Sequence, residues 1–321
     1  MKKINKTLMV KAVGYKLKHN KTKDTWSPPK IEDEIKKIMD GAITIGERHY
    51  PDPNNIKDGV TCAILFDSKT LEKGTLFTIC SYTKGLAPEA VAPDMESTKL
   101  TLQPINLQTP EGKKTELAFS YRCLAFGQII LIESVQGAGG ITLLCKLLTF
   151  LLKKYSDGPY SSVELYDIAS TELRDLIQQK GGVKKITASL VHDIEKDYSN
   201  YASQLSEIRN NVKGTNKFIC TWEAEETKVL DEEATISLFD EAESEFLDSI
   251  MIKFKDNSTI TGLHKYKEKR HVQIQLTPEG KVATSEIETE LKRYLKELRD
   301  PRNKSLITTE GFLKNVKKKL T

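Results

Sequence analysis

The stretch ELAFSYRCLAFGQIILIESVQGAGGITLLCKLLTFLLKKY, from Glu116 to Tyr155, is the most hydrophobic part of this chain. It contains two apolar runs separated by a Gly-Gln turn, then the glycine-rich segment QGAGG (136–140), then a long apolar run. That order predicts a strand, a turn, a second strand, a tight loop and a buried helix. We therefore expect this unit to form the centre of the hydrophobic core.

Patterns on both sides of this unit predict further strands and helices. Apolar and basic residues alternate over residues 5–17, which is typical of a strand with one solvated face. We expect further strands at 60–66, 75–82, 162–168 and 183–191, and helices beginning after Pro29 and covering 171–179. These elements predict an α+β fold: a mixed, mainly antiparallel sheet with packed helices, plus a smaller C-terminal β-hairpin and helix region.

The C-terminal third has its own pattern. The run IMIKFK (250–255) and the turn at 256–258 predict a β-hairpin whose second arm continues to residue 276, and a helix begins near Ser285. We accordingly divide the chain into an α+β core domain (1–192), an amphipathic helix (193–214), and an acidic linker followed by the basic hairpin and helix (215–321).

The amphipathic helix carries apolar residues at alternating spacings of four and three. This pattern indicates either a helix packed on its own domain or a helix that joins two copies in a homodimer. The residues of the dimerisation seam would be Ile194, Tyr198, Tyr201, Leu205, Ile208 and Val212.

Composition favours a water-soluble cytoplasmic protein. With 38% hydrophobic and 29% charged residues, the chain resembles an ordinary globular protein. The longest apolar run, 141–152, contains Lys146 and is shorter than the roughly 20 residues that span a bilayer, so we expect no direct membrane insertion. The five cysteines are widely spaced and form no CxxC pair, which favours reduced thiols.

No catalytic, metal-binding or cofactor motif stands out. The segment QGAGG is not followed by the Gly-Lys-Ser/Thr of a phosphate-binding loop, and Thr142 stands where a dinucleotide fingerprint has its third glycine. The loop residues Glu47, Arg48 and His49 could support acid–base chemistry but are typical of a solvated loop. We therefore predict no catalytic residue, no metal site and no cofactor.

Basic residues of the C-terminal third give the main functional indication. Clustered lysines and arginines can bind the phosphates of nucleic acid, although they can also serve only solubility. The predicted nucleic-acid contacts are Lys253, Lys255, Lys265, Lys267, Lys269, Arg270, Lys292, Arg293 and Lys296.

An acidic segment precedes these basic residues. Between 223 and 248 the only basic residue is Lys228, among many Asp and Glu. We hypothesise that this segment competes with nucleic acid for the basic surface until a partner or ligand releases it.

Several segments are similar to RexA-type phage-exclusion proteins and related bacterial abortive-infection proteins. They are FGQIILIESVQGAGGITLLCKLLTFLL, LRDLIQQKGGVKKITASLV and SIMIKFKDN, within residues 115–300. The resemblance implies a cytoplasmic, DNA-binding, dimeric protein that senses phage infection and acts with a second defence component. We expect non-specific, non-catalytic DNA binding. A metal-dependent nuclease or nucleotide-processing effector and a protein-interaction module are the alternatives.

Overall fold

The protein is described by a computed structural model that covers residues 2–18, 27–86, 89–91, 102–105, 107–109, 111–112, 115–168, 170–190, 218–232, 234–236, 247–261, 267–301 and 306–313. The strands are β1 (Lys3–Leu17), β2 (His49–Tyr50), β3 (Thr61–Thr70), β4 (Thr75–Thr83), β5 (Glu89–Val91), β6 (Leu102–Pro104), β7 (Ala118–Phe126), β8 (Ile129–Glu133), β9 (Tyr160–Asp167), β10 (Val183–Leu190), β11 (Phe218–Glu223), β12 (Leu247–Phe254), β13 (Thr259–Thr261) and β14 (Lys269–Gln275). The helices are α1 (Ile31–Gly41), α2 (Gly140–Tyr155), α3 (Thr171–Gln179) and α4 (Thr284–Leu298), with 3-10 turns at Gly46–Arg48 and Pro53–Asn55.

The main sheet has the strand order β14-β1-β8-β7-β4-β3-β2, and β9 also pairs with β1. Strand β1 is long enough to hold three partners. Lys3–Met9 pairs with β14, Leu8–Ala12 pairs with β8, and Lys11–Leu17 pairs with β9. Because β8 overlaps both other pairings, β14 and β9 share the opposite edge of β1. Their ends meet at Glu268, whose backbone N–H donates to Ile168 O at 2.7 Å.

Each face of the main sheet packs against different helices. On one face, Val13, Ile130 and Ile132 join the apolar side chains of α1 and α2 in a core cluster. On the other face, Leu8, Val10, Leu131, Val272 and Ile274 pack against α4. Successive strand residues point to opposite faces, so even-numbered residues of β1 and β14 face α4 and odd-numbered residues face the other side.

A second sheet has the order β11-β10-β12-β13. Its inner face includes Ile186, Ala188, Ile252 and Phe254, which pack against α3. The outer face carries the exposed Ile219 and Met251 together with lysines and threonines.

The structure confirms the α+β class, and every strand pairing in the described part is antiparallel. The central unit is also confirmed as β7, β8 and α2. Two assignments were wrong. Residues 269–275 do not continue the hairpin of β12 but pair with β1, and the strand 183–190 leaves the core sheet for the second sheet. Both differences arise from partners far away in sequence, which local patterns do not encode.

The predicted domain boundaries, at 192/193 and 214/215, lie outside the described residues. So do the predicted seam residues Ile194, Tyr198, Tyr201, Leu205, Ile208 and Val212. Of the helices in the described ranges, none is both long enough and apolar enough to cross a lipid bilayer.

Candidate nucleic-acid interface

The predicted cationic contacts are divided between the two sheets. Lys253 lies on β12 of the second sheet and Lys255 in the turn that follows it. The other predicted contacts lie on or near the main sheet. Lys267 precedes β14, Lys269 and Arg270 lie on β14, and Lys292, Arg293 and Lys296 lie on α4. Lys265 lies outside the described residues.

Lys267 belongs to a group of charges at the junction of β9 and β14. Its ammonium lies 3.4 Å from Asp167 Oδ2, and the other oxygen of Asp167 contacts the ammonium of Lys11. Burial, with a smaller contribution from the positive charges of Lys11 and Lys269, lowers the pKa of Lys267 to about 8. Burial also lowers the pKa of Lys11 to about 8. The junction therefore concentrates lysines around one carboxylate, on the odd-numbered face of β1 and β14.

Arg270 points to the other face and has a packing role. Its guanidinium forms an ion pair with Glu297 and lies over the ring of Tyr294, 4.2 Å from the centroid. The hydrogen bond and charge of Glu297 raise the pKa of Arg270, and the same contact lowers the pKa of Glu297. These contacts fasten α4 to β14.

The remaining predicted cations lie on the outer side of α4. Lys292 and Lys296 are exposed, and Arg293 forms a 2.5 Å ion pair with Glu290 one turn away. Because α4 covers the even-numbered face of the sheet, these side chains lie on the opposite side of the sheet from Lys269. One straight duplex cannot contact both sides at once.

The second sheet presents its own basic residues. Lys253 is half-buried on the outer face, where the neighbouring Lys185 forms a 3.0 Å ion pair with Glu223. Lys255 is exposed in the turn, and its backbone N–H donates to Gly182 O at 3.0 Å. Acidic and basic side chains are thus mixed on this surface.

The odd-numbered face of β1 and β14 holds polar residues that the charge count alone did not single out. In register order, seven polar residues and Met9 form four opposed pairs: Lys3 with Gln275, Asn5 with Gln273, Thr7 with His271, and Met9 with Lys269. All eight are exposed or half-buried, and none is acidic. The sequence signal was the alternation over residues 5–17, which predicted a solvated face but not its partner strand.

Two other candidate motifs have structural roles. In QGAGG, Gly137, Gly139 and Gly140 have φ of +82°, +77° and +64°, so glycine is needed for the loop that starts α2. Arg48 donates to Phe66 O at 2.9 Å, and Glu47 accepts from the backbone and hydroxyl of Thr44.

His49 of the same tripeptide is buried. Its Nδ1 lies 2.6 Å from Pro51 O and its Nε2 lies 2.8 Å from the Tyr82 hydroxyl. Because a carbonyl only accepts, Nδ1 donates to Pro51 O. The residues Glu47, Arg48 and His49 therefore point to three different places and do not form one acid–base group.

Within the described ranges, no group of three or more His, Cys, Asp or Glu is arranged to hold a metal ion. No protein-family model matches the chain, and no curated protein matches it.

Proposed function

We propose that this protein binds nucleic acid without catalysis and that its phosphate contacts lie on the odd-numbered face of β1 and β14. The observation that carries the proposal is the composition of this face. Lys3 and Lys269 stand near its two ends, Lys267 adjoins it, and its four opposed residue pairs include no carboxylate.

A surface whose opposed pairs include lysines and no carboxylate favours the binding of a polyanion. Each phosphate that a lysine neutralises releases a condensed counterion, so affinity for duplex DNA falls with salt at a slope of about 0.9 per contact. The pKa of Lys267, lowered by burial and by the charges of Lys11 and Lys269, is consistent with a site where an added anion is favourable.

The proposed biological role is that of a sensor or effector in bacterial antiphage defence, acting as a cytoplasmic homodimer with a second component. This part of the proposal is supported only by the similarity of residues 115–300 to RexA-type proteins. The proposal puts the phosphate contacts on the odd-numbered face of β1 and β14 instead of on α4 and the second sheet, where the sequence had also predicted them, and the competing role of segment 223–248 stays a prediction.

A salt titration tests the proposal. A fluorescently labelled 20-base-pair duplex is titrated with the full chain at several salt concentrations, with and without magnesium, and the DNA is then run on a gel. We expect salt-dependent binding with intact DNA in both conditions. Magnesium-dependent cleavage would favour the nuclease alternative, and absence of binding at low salt would favour the protein-interaction alternative.

A further inference from the structure

Part of the β1–β14 pair extends beyond the rest of the sheet. Strand β1 pairs with β8 only from Leu8 onward. Within the described residues, Lys3–Thr7 therefore pairs with a single strand, β14. On the other edge, one hydrogen bond, from Ser134 N to Thr7 O at 2.9 Å, closes this stretch. We call residues 3–7 and 271–275 the β-ribbon.

The even-numbered face of the β-ribbon packs against α4. Val272 and Ile274 are buried against α4, and the backbone N–H of Gln275 donates to Glu286 Oε2 at 2.8 Å. Leu276 N also donates to Lys2 O at 2.9 Å, which closes the end of the ribbon. The backbone that carries its exposed side chains is therefore held by a packed scaffold, as a recognition surface requires.

The exposed face of the β-ribbon has the chemistry of base recognition. Asn5 and Gln273 are directly opposite each other, and both are exposed. Beside them Thr7 Oγ1 and His271 Nδ1 lie 3.0 Å apart in a hydrogen bond. Asn and Gln amides can donate to and accept from one base edge at once, and their preferred partner is adenine in the major groove.

The dimensions of the β-ribbon fit the major groove of B-form DNA. Paired strands lie about 4.8 Å apart, and the major groove, about 12 Å wide, admits a two-stranded ribbon. The major groove of an RNA duplex is too narrow for this, so the shape favours DNA. The cations complement the polyanion: Lys3 lies on the ribbon and Lys269 just beyond it, where they can contact the flanking phosphates.

We propose that the β-ribbon enters the major groove of duplex DNA and that Asn5 and Gln273 read base edges there. This inference rests on the proposed function and deepens it, because the amides add sequence preference to phosphate binding. The preferred sites contain A·T pairs at the positions that the amides contact.

The test begins with selection of bound duplexes from a random 20-base-pair library, using the full chain. The affinity for a selected duplex is then compared with that for its scrambled sequence, for wild type, Asn5→Ala/Gln273→Ala and the control Gln178→Ala/Gln179→Ala. The control removes two exposed polar side chains on α3. We expect wild type and control to prefer the selected duplex by roughly tenfold or more, since one bidentate contact discriminates by about 1–3 kcal/mol.

In Asn5→Ala/Gln273→Ala, the ratio of the affinities for the selected and scrambled duplexes should fall towards one, while the affinity for the scrambled duplex stays as in wild type. Binding by wild type without sequence preference would overturn the base-reading inference but leave the proposed function standing. A preference for single strands over duplex, or a preference that survives the double substitution, would also overturn it. No binding to any duplex at low salt would overturn both the inference and the proposed function.

Discussion

Lys11 lies directly opposite Asp167 in the register between β1 and β9, and their buried side chains form an ion pair. Lys267 approaches the same carboxylate from the residues that precede β14. Asp167 thus balances lysines from two segments at the point where β9 and β14 meet. This arrangement joins the core of the main sheet to the base of the proposed interface.

The first prediction concerns the loss of that carboxylate. Asp167→Asn removes the carboxylate that pairs with the buried Lys11 and the half-buried Lys267, so we expect a loss of about 3–5 kcal/mol in the free energy of unfolding. Denaturant unfolding at pH 7 measures this loss. The matched double variant Lys11→Met/Asp167→Leu should recover much of the stability, because an apolar pair replaces the charged one. A cost below about 1 kcal/mol for Asp167→Asn would contradict the structural role of the pair.

The second prediction concerns alkaline pH. The pKa of both lysines is lowered from 10.5 to about 8 in the folded protein. Between these values the unfolded chain binds more protons than the folded one, so each lysine makes the free energy of unfolding rise with pH, by at most about 1.4 kcal/mol per pH unit. We expect Lys267→Met to show a smaller rise than wild type between pH 7.5 and 9.

Buried tyrosines and thiols act in the opposite direction above their ordinary pKa values, but they are the same in both chains. The difference between the two chains therefore reports Lys267 together with the effect of its charge on Lys11. Identical pH slopes in urea unfolding would show that its pKa is not lowered.

The third prediction concerns Glu34, a buried carboxylate between α1 and the start of β9. Burial alone would raise its pKa, but hydrogen bonds from Lys37, Ser156 and Tyr160 hold the pKa below its usual value. Tyr160→Phe removes one donor and should cost about 1–3 kcal/mol in the free energy of unfolding. The control is Tyr155→Phe, whose hydroxyl does not contact Glu34 and makes a long, 3.4 Å hydrogen bond to Glu47 O.

A folded-state pKa below the unfolded value stabilises the protein above the unfolded pKa, and this stabilisation is lost as pH falls through the folded pKa. In Tyr160→Phe the pKa of Glu34 moves up, so acidification from pH 7 to about 3 should cost less stability than in wild type. Equal costs for Tyr160→Phe and Tyr155→Phe at pH 7 would speak against the proposed network.

The fourth prediction concerns Gly127 in the turn between β7 and β8. Its φ is +61°, and an added Cβ would lie 2.6 Å from the backbone of Gly311. Gly127→Ala should therefore cost more than the roughly 1–2 kcal/mol of left-handed backbone alone. Gly280→Ala is the control, since Gly280 has φ of +76° with open space around it. Equal unfolding midpoints for the two variants would show that the Gly127–Gly311 approach is not tight.

Local patterns predicted the elements better than their pairing. The helix 171–179 and the unit from β7 to α2 follow from hydrophobic periodicity and glycine placement, and both are present. The pairing of Lys3 with Gln275 joins residues that are far apart in sequence, and no local propensity encodes it. For the same reason the sequence predicted only part of the candidate interface. Lys269 was predicted from its charge, whereas Asn5 and Gln273 became candidates only when the register showed that they lie opposite each other.

Comparison of two lysine pairs on opposite sides of the main sheet tests the proposed interface most directly. Salt titrations of duplex binding are made for wild type, Lys3→Ala/Lys269→Ala, and Lys292→Ala/Lys296→Ala, with Lys36→Ala on α1 as the surface control. We expect the first pair to weaken binding to all sequences and to reduce the salt slope by about two, as for two lost phosphate contacts. The second pair and the control should leave the slope unchanged. An unchanged slope for Lys3→Ala/Lys269→Ala, with a reduced slope for Lys292→Ala/Lys296→Ala, would place the interface on α4 and contradict the proposal.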